Sequence, residues 1–243
     1  MTTFDPVTSL LHIYDDTWEL NEGGCPCDLH LLDFLKDRNV RNATIFHMGT
    51  GAHHIVGIKA VEGGTNNAVI GITASPGEHE RYIKLGVENP RAHASYKAFF
   101  GDIYQLDARL LPPLDVVSLF HLCEFRTAKN DAYGALTDLE VARLLWDQLR
   151  PGGYMLFYKL SMSYDKAIPN IARLREERVM VEEPDFKTLQ VFRKPDPGPA
   201  PRRVAAKRTA AKAKARAKAK PEPRARARAK PKTKAKAKAK KRN

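Results

Sequence analysis

The stretch IFHMGTGAHH, residues 45–54, decides how the chain is read. An apolar run stops at Met48, two glycines follow one residue apart, and Ala52 leads into amphipathic sequence expected to be helical over 52–61. Glycine lets backbone approach a ligand closely, and a helix N-terminus offers unpaired N–H groups. A strand, a glycine turn and a helix in that order suit a nucleotide. Alone, Gly-x-Gly also fits a tight turn that only lets strand and helix pack.

The surrounding pattern extends the reading. Apolar, β-branched or aromatic runs recur at 43–48, 67–73, 96–102, 114–120 and 153–160, with shorter ones at 178–183 and 187–194. Amphipathic stretches at 52–61, 76–86, 137–149 and 165–177 lie between them. Thr137 followed by Glu140 is a capping box, and RPGG (150–153) ends that helix. Such alternation predicts a single doubly wound, mostly parallel sheet covered on both faces. The last two runs are separated by a few residues around Pro184, too few for a parallel crossover, so one of them must run antiparallel.

Composition divides the 243 residues unevenly. From Asp196 onward there are 20 Lys and Arg against Asp196 and Glu222, a net of +18. Residues 1–195 keep 21 basic and 26 acidic groups, a net of −5. The tail has almost no large apolar side chains and spreads charge around any helix, so it is expected to be disordered when free. We therefore divide the chain into an N-terminal extension (1–26), an α/β domain (27–195) and a tail rich in Lys, Arg, Ala and Pro (196–243). Three cysteines, Cys25, Cys27 and Cys123, argue against a disulfide framework. The opening residues lack the basic start of a secretory signal, and no apolar run reaches membrane-spanning length. The expectation is a cytoplasmic protein, associated through its tail with nucleoid or ribosome.

Five motifs in order carry a family resemblance. FHMGTGAH (46–53), VIGITAS (69–75), FFGDIYQL (99–106), LDVVSLFHLCEF (114–125) and LLWDQLRPGGYMLFYKLS (144–161) resemble class I S-adenosylmethionine-dependent methyltransferases over residues 27–194. The resemblance implies a Rossmann-like seven-stranded sheet closed by an antiparallel last strand. Its implied cofactor is S-adenosyl-L-methionine, and the cofactor-binding positions fall at His47, Gly49, Gly51, Thr73, Asp102 and Ile103. Two positions depart from the family pattern. His47 stands where the first motif has an acid, and Thr73 replaces the acid that binds the ribose. A threonine accepts more weakly than a carboxylate, a difference of about 1–3 kcal/mol, or roughly tenfold to a hundredfold in affinity.

Candidate catalytic groups are fewer. His121, at the end of the fourth strand, can serve as a general base near neutral pH, or it can simply line the pocket. Glu124 is the second candidate. The Asp/Asn-Pro-Pro-aromatic tetrapeptide of amino-methylating nucleic-acid enzymes is absent, with FHLC (120–123) in its place, and Cys123 reads as a buried core thiol. CPCDLH (25–30) groups Cys25, Cys27 and His30, three ligand types with no evident fourth, and reads as a polar turn entering a helix rather than a metal site. His53 and His54 are expected in the first helical turn, on the surface or the pocket wall.

The tail resembles those of linker histones and bacterial histone-like proteins in composition. About twenty cations on flexible chain would engage nucleic acid through phosphates, with steep salt dependence and little sequence preference. Two functions follow: a methyltransferase of unknown acceptor tethered to nucleic acid, or a non-catalytic domain of the same fold serving as a DNA or nucleoid binding module. A dinucleotide-dependent oxidoreductase ranks last, because the third glycine is missing.

Overall fold

The computed structural model describes residues 5–196. The tail, and with it the expected disorder of 197–243, lies outside the described residues. Seven strands form one sheet: β1 (Thr44–Met48), β2 (Ala68–Thr73), β3 (Tyr96–Phe100), β4 (Leu114–Ser118), β5 (Leu149–Tyr158), β6 (Val181–Phe186) and β7 (Leu189–Arg193). Their spatial order is β3-β2-β1-β4-β5-β7-β6. Strands β1 to β5 are parallel, whereas β7 runs antiparallel to both β5 and β6. The helices are α1 (Cys27–Asp37), α2 (Ile55–Glu62), α3 (Pro76–Glu88), α4 (Pro90–Ser95), α5 (Ala128–Asp131), α6 (Asp138–Gln148) and α7 (Tyr164–Glu177). Among the described residues no helix is long and apolar enough to cross a membrane.

Alternation along the strands builds two cores. Phe46, Val117, Met155 and Phe157 point to one face, where Leu145 and Trp146 of α6 and Leu174 of α7 cover them. Ile45, Val116 and Leu156 point to the other, against Leu31 and Phe34 of α1 and Val56 of α2. Full burial of each such side chain contributes about 1.5–3 kcal/mol, so the two faces fix strand register: a one-residue slip would turn every apolar side chain to the wrong core.

The capping box on α6 forms as its sequence predicts, with the Thr137 side chain accepting from the Glu140 N–H and the Glu140 carboxylate accepting from the Thr137 N–H. Three boundaries differ from the sequence reading. Helix α2 starts at Ile55 rather than Ala52, because His54 takes a left-handed conformation (φ 48°) and holds the chain out of the helix. Strand β5 starts at Leu149 and carries Pro151 and Gly152, with a register shift against β4. Pro184 lies inside edge strand β6 at a second irregularity, and the turn falls at Lys187–Thr188, where Lys187 has φ 53°. An edge strand tolerates proline because the missing N–H faces away from the ladder.

Candidate functional site

From β1 the chain crosses to β2 on one side, while β4 lies on the other. The loops after β1 and β4 therefore diverge and leave a crevice at the strands' carboxyl ends, where open α/β sheets bind ligands. A cavity of about 390 Å³ occupies it. Gly49 and Gly51, with φ of +79° and +56°, make the turn after β1 along its wall. Both need the left-handed region that glycine occupies at little cost, and a Cβ on Gly51 would sit 2.4 Å from His53 Nε2.

Residues 5–26, set apart in sequence as an extension, form part of this wall. The Ala52 N–H donates to the Trp18 carbonyl (2.7 Å), the Tyr14 N–H to the Ala74 carbonyl (3.0 Å), and the Ser75 hydroxyl to the Asp16 carbonyl (2.8 Å). Tyr14, Trp18 and Phe125 pack edge to face beside the cavity, with ring centroids 5.1–6.1 Å apart.

Five of the six expected cofactor-binding positions reach the cavity: Gly49, Gly51, Thr73, Asp102 and Ile103. Thr73 and Asp102 reach it already occupied. The Thr73 hydroxyl donates to Glu78 Oε2 (2.6 Å) and accepts the Ser75 N–H (3.0 Å). Asp102 Oδ1 accepts the Tyr104 N–H (2.9 Å), while Oδ2 accepts from Asn130 Nδ2 (2.7 Å) and from the Tyr133 hydroxyl. His47 is not among the lining residues. It is buried on the α1 side of β1, with Nδ1 2.7 Å from the Ser118 hydroxyl and Nε2 3.4 Å from Asp28 Oδ1.

Two buried carboxylates from outside the motif positions line the cavity. Glu78, in the first turn of α3, is buried and lines the cavity beside Thr73. Its Oε2 also lies 3.4 Å from the Thr50 hydroxyl, and its Oε1 accepts the Trp18 N–H (3.3 Å). Burial pushes its pKa up, against the hydrogen bonds from Thr73 and the Trp18 backbone. Asp28, in the first turn of α1, lines the cavity between His47 and His53, 3.6 Å from His53 Nε2. Burial opposes its ionisation, but the His47 and His53 rings outweigh that and hold the carboxyl below its ordinary range.

The two histidines after the glycine turn precede α2 and have different roles. His53 is a cavity wall residue whose Nδ1 accepts the Ile55 N–H (3.2 Å). His54 is buried: Nε2 donates to the Glu78 carbonyl (2.8 Å) and Nδ1 accepts from the Tyr96 hydroxyl (2.7 Å). It ties α2, α3 and β3 together, and burial lowers its pKa to about 4.

His121 and Glu124 lie together on the cavity wall below β4. His121 Nδ1 is 3.0 Å from Glu124 Oε2, and Glu124 Oε1 accepts from the Ser161 hydroxyl (2.5 Å). His121 Nε2 faces the sulfur of Cys27 at 3.9 Å, and that sulfur is 3.5 Å from Cys25 Sγ. Burial alone would lower the His121 pKa, but Cys25 and Glu124 raise it to about 10. The Cys27 thiol and His121 both lower Cys25, while the shared proton and burial raise Cys27. His30, grouped with the cysteines in sequence, turns away to the Thr188 hydroxyl (2.7 Å). Cys123 is half-buried, takes a hydrogen bond from Asn170 (3.2 Å) and does not line the cavity.

No family model matches the sequence, and no curated protein matches it. Solved structures do resemble it. A protein assigned as an rRNA-methylase from Clostridium thermocellum is 13% identical, with a TM-score of 0.52 over 74% of this chain and 100% of that one. Precorrin-6y C5,15-methyltransferase from Geobacter metallireducens GS-15 is 13% identical, with a TM-score of 0.49 over 76% and 98%. TrmN from Thermus thermophilus is 12% identical, with a TM-score of 0.46 over 67% of this chain, which spans only 47% of that protein's length. The likeness to the first is one of fold: a seven-stranded, mostly parallel sheet closed by an antiparallel strand.

Proposed function

We propose that the chain is an S-adenosyl-L-methionine-dependent methyltransferase whose tail, residues 196–243, tethers it to nucleic acid. The observation that carries this reading is the cavity at the sheet's switch point, with two buried carboxylates, Glu78 and Asp28, flanking the glycine turn. The cofactor carries a ribose diol, an ammonium and a sulfonium. Glu78 would accept from the diol with a full carboxylate charge, whereas Thr73, already donating to Glu78 and accepting from Ser75, keeps one lone pair of a neutral hydroxyl. Asp28 would face the ammonium and take the place of the acid that His47 replaces. Gly49 and Gly51 admit the chain of the cofactor against backbone, and Ile72 and Ile103 supply apolar contact for a base.

Once bound, the sulfonium supplies an electrophilic methyl group. The residues of this chain would hold the acceptor near it. His121 is oriented through Nδ1 by Glu124, and its Nε2 faces the Cys27 sulfur on the cavity wall. For a good nucleophile, proximity and orientation supply most of what is needed. The acidic domain argues against a nucleic-acid groove within the fold, so tethering and methyl transfer are separate tasks.

Calorimetric titration of the full-length protein with S-adenosylmethionine and its demethylated product tests this reading. Micromolar binding of both supports it. Absence of binding to a folded protein would leave the alternative, a non-catalytic module that acts through its tail.

A further inference from the structure

Cys25 from the turn before α1, Cys27 at the start of α1 and His121 from the loop after β4 meet on the cavity wall, the last two 94 residues apart in sequence. We propose that Cys25, Cys27 and His121 form a site for one thiophilic divalent cation of the zinc class, with its fourth coordination position open to the cavity.

The donor geometry matches. The two sulfurs and His121 Nε2 all lie within 4.8 Å of one another. The Cys25–Cys27 and Cys27–His121 separations are 3.5 and 3.9 Å. In a tetrahedral site with zinc–sulfur bonds of about 2.3 Å and zinc–nitrogen bonds of about 2.0 Å, neighbouring donors stand roughly 3.5–3.8 Å apart. Two of the three separations are thus already close to those of a tetrahedral site, and the third is no more than 4.8 Å.

The surroundings match as well. Metal-bound histidines commonly donate their other ring N–H to a carboxylate, which fixes the tautomer and orientation. Glu124 stands at that place against His121 Nδ1 and is itself held by Ser161. Beside the two sulfurs, the buried Tyr158 hydroxyl is in hydrogen-bond contact with the Cys25 side chain. Two thiolates and a neutral imidazole balance a divalent charge. All three ligands line the cavity, so a fourth donor enters from there. Three protein ligands with one open position is the arrangement of catalytic rather than structural zinc sites. His30, the third donor that the sequence spacing offers, is not part of it, because it is held 2.7 Å from Thr188.

This proposal does not depend on the methyltransferase reading. Its test is anaerobic titration of the reduced, metal-stripped full-length protein with Co²⁺, followed by Zn²⁺ displacement. The expected result is saturation at one equivalent, with sulfur-to-cobalt charge-transfer absorption and the visible bands of tetrahedral cobalt, both lost on adding Zn²⁺. Cys25→Ser and Cys27→Ser should each abolish the charge-transfer signal at one equivalent. Glu124→Gln should weaken binding roughly tenfold to a hundredfold, and His30→Ala should leave it unchanged. Thiol alkylation of the natural protein needs no variant: Zn²⁺ should protect Cys25 and Cys27 while Cys123 reacts at the same rate with or without it. Absence of saturable binding, an undiminished signal in the cysteine variants, or alkylation of Cys25 and Cys27 indifferent to Zn²⁺ would each overturn the site.

Discussion

At the end of β2 the Thr73 hydroxyl has no proton left for a ligand and one lone pair, since it donates to Glu78 and accepts from Ser75. Reading that position from sequence gives a weak acceptor, whereas the structure gives a residue that positions a carboxylate. Glu78 was hard to recognise for a physical reason: Ser75-Pro76-Gly77-Glu78 has the form of a helix start with its capping partner. The Ser75 cap does form, at 3.4 Å from the Glu78 N–H, but the Glu78 side chain turns to Thr73 instead of back to the cap. Asp28 likewise becomes legible only once α1 packs against β1 and brings it to His47. His54 makes a separate prediction. Its pKa is about 4 in the folded protein, below its ordinary 6.5, so the unfolded chain binds more protons between these values. Stability is full above about pH 6.5 and is lost as pH falls toward 4, by on the order of 3 kcal/mol. Chemical denaturation of the natural protein and of His54→Gln across pH 4–7 checks this. The variant should be less stable at neutral pH and lose less on acidification, and parallel slopes would contradict the assignment.

At the scale of elements, the sheet was largely readable because each parallel strand is a short apolar run bounded by turns. The capping box on α6 and the antiparallel closing strand followed from local rules. The boundaries that moved were set by contacts from outside the element: His54 delays α2 by bonding to α3 and β3, and the bulge in β6 absorbs Pro184. The close approach of α2 to β3 depends on Gly57, where an added Cβ would lie 2.3 Å from the Tyr96 ring. Tyr96 is itself anchored to His54 and fully buried, so it has little room to yield. Gly57→Ala should therefore destabilise the domain by about 1–3 kcal/mol despite alanine's better helix propensity. A thermal midpoint equal to or above that of the natural protein would show that the ring can move. Proximity in sequence groups Cys25 and Cys27 with His30, whereas the fold sets His121 beside them and holds His30 at Thr188.

Across the whole molecule, charge is segregated: −5 over residues 1–195 and +18 beyond. If the tail carries nucleic-acid binding, deleting 196–243 should abolish DNA retardation and leave the cavity's ligand affinity intact. Full-length binding should weaken on the order of a thousandfold or more between about 50 and 200 mM salt. A truncated protein that retards DNA equally would place binding on the domain instead. The account's central claim, however, concerns the domain: the cofactor carboxylate was moved rather than lost, from the end of β2 to the first turn of α3. Calorimetric titration with S-adenosylmethionine across the natural protein, Glu78→Gln, Thr73→Asp and the exchange Thr73→Asp/Glu78→Thr tests it directly. We predict a loss of roughly tenfold to a hundredfold for Glu78→Gln. Thr73→Asp should also weaken binding, because it sets a second carboxylate against Glu78, and the exchange should recover most of the natural affinity. Unchanged affinity in Glu78→Gln, with tighter binding by Thr73→Asp alone, would contradict the claim and mark Glu78 as a structural acid beside a decayed site.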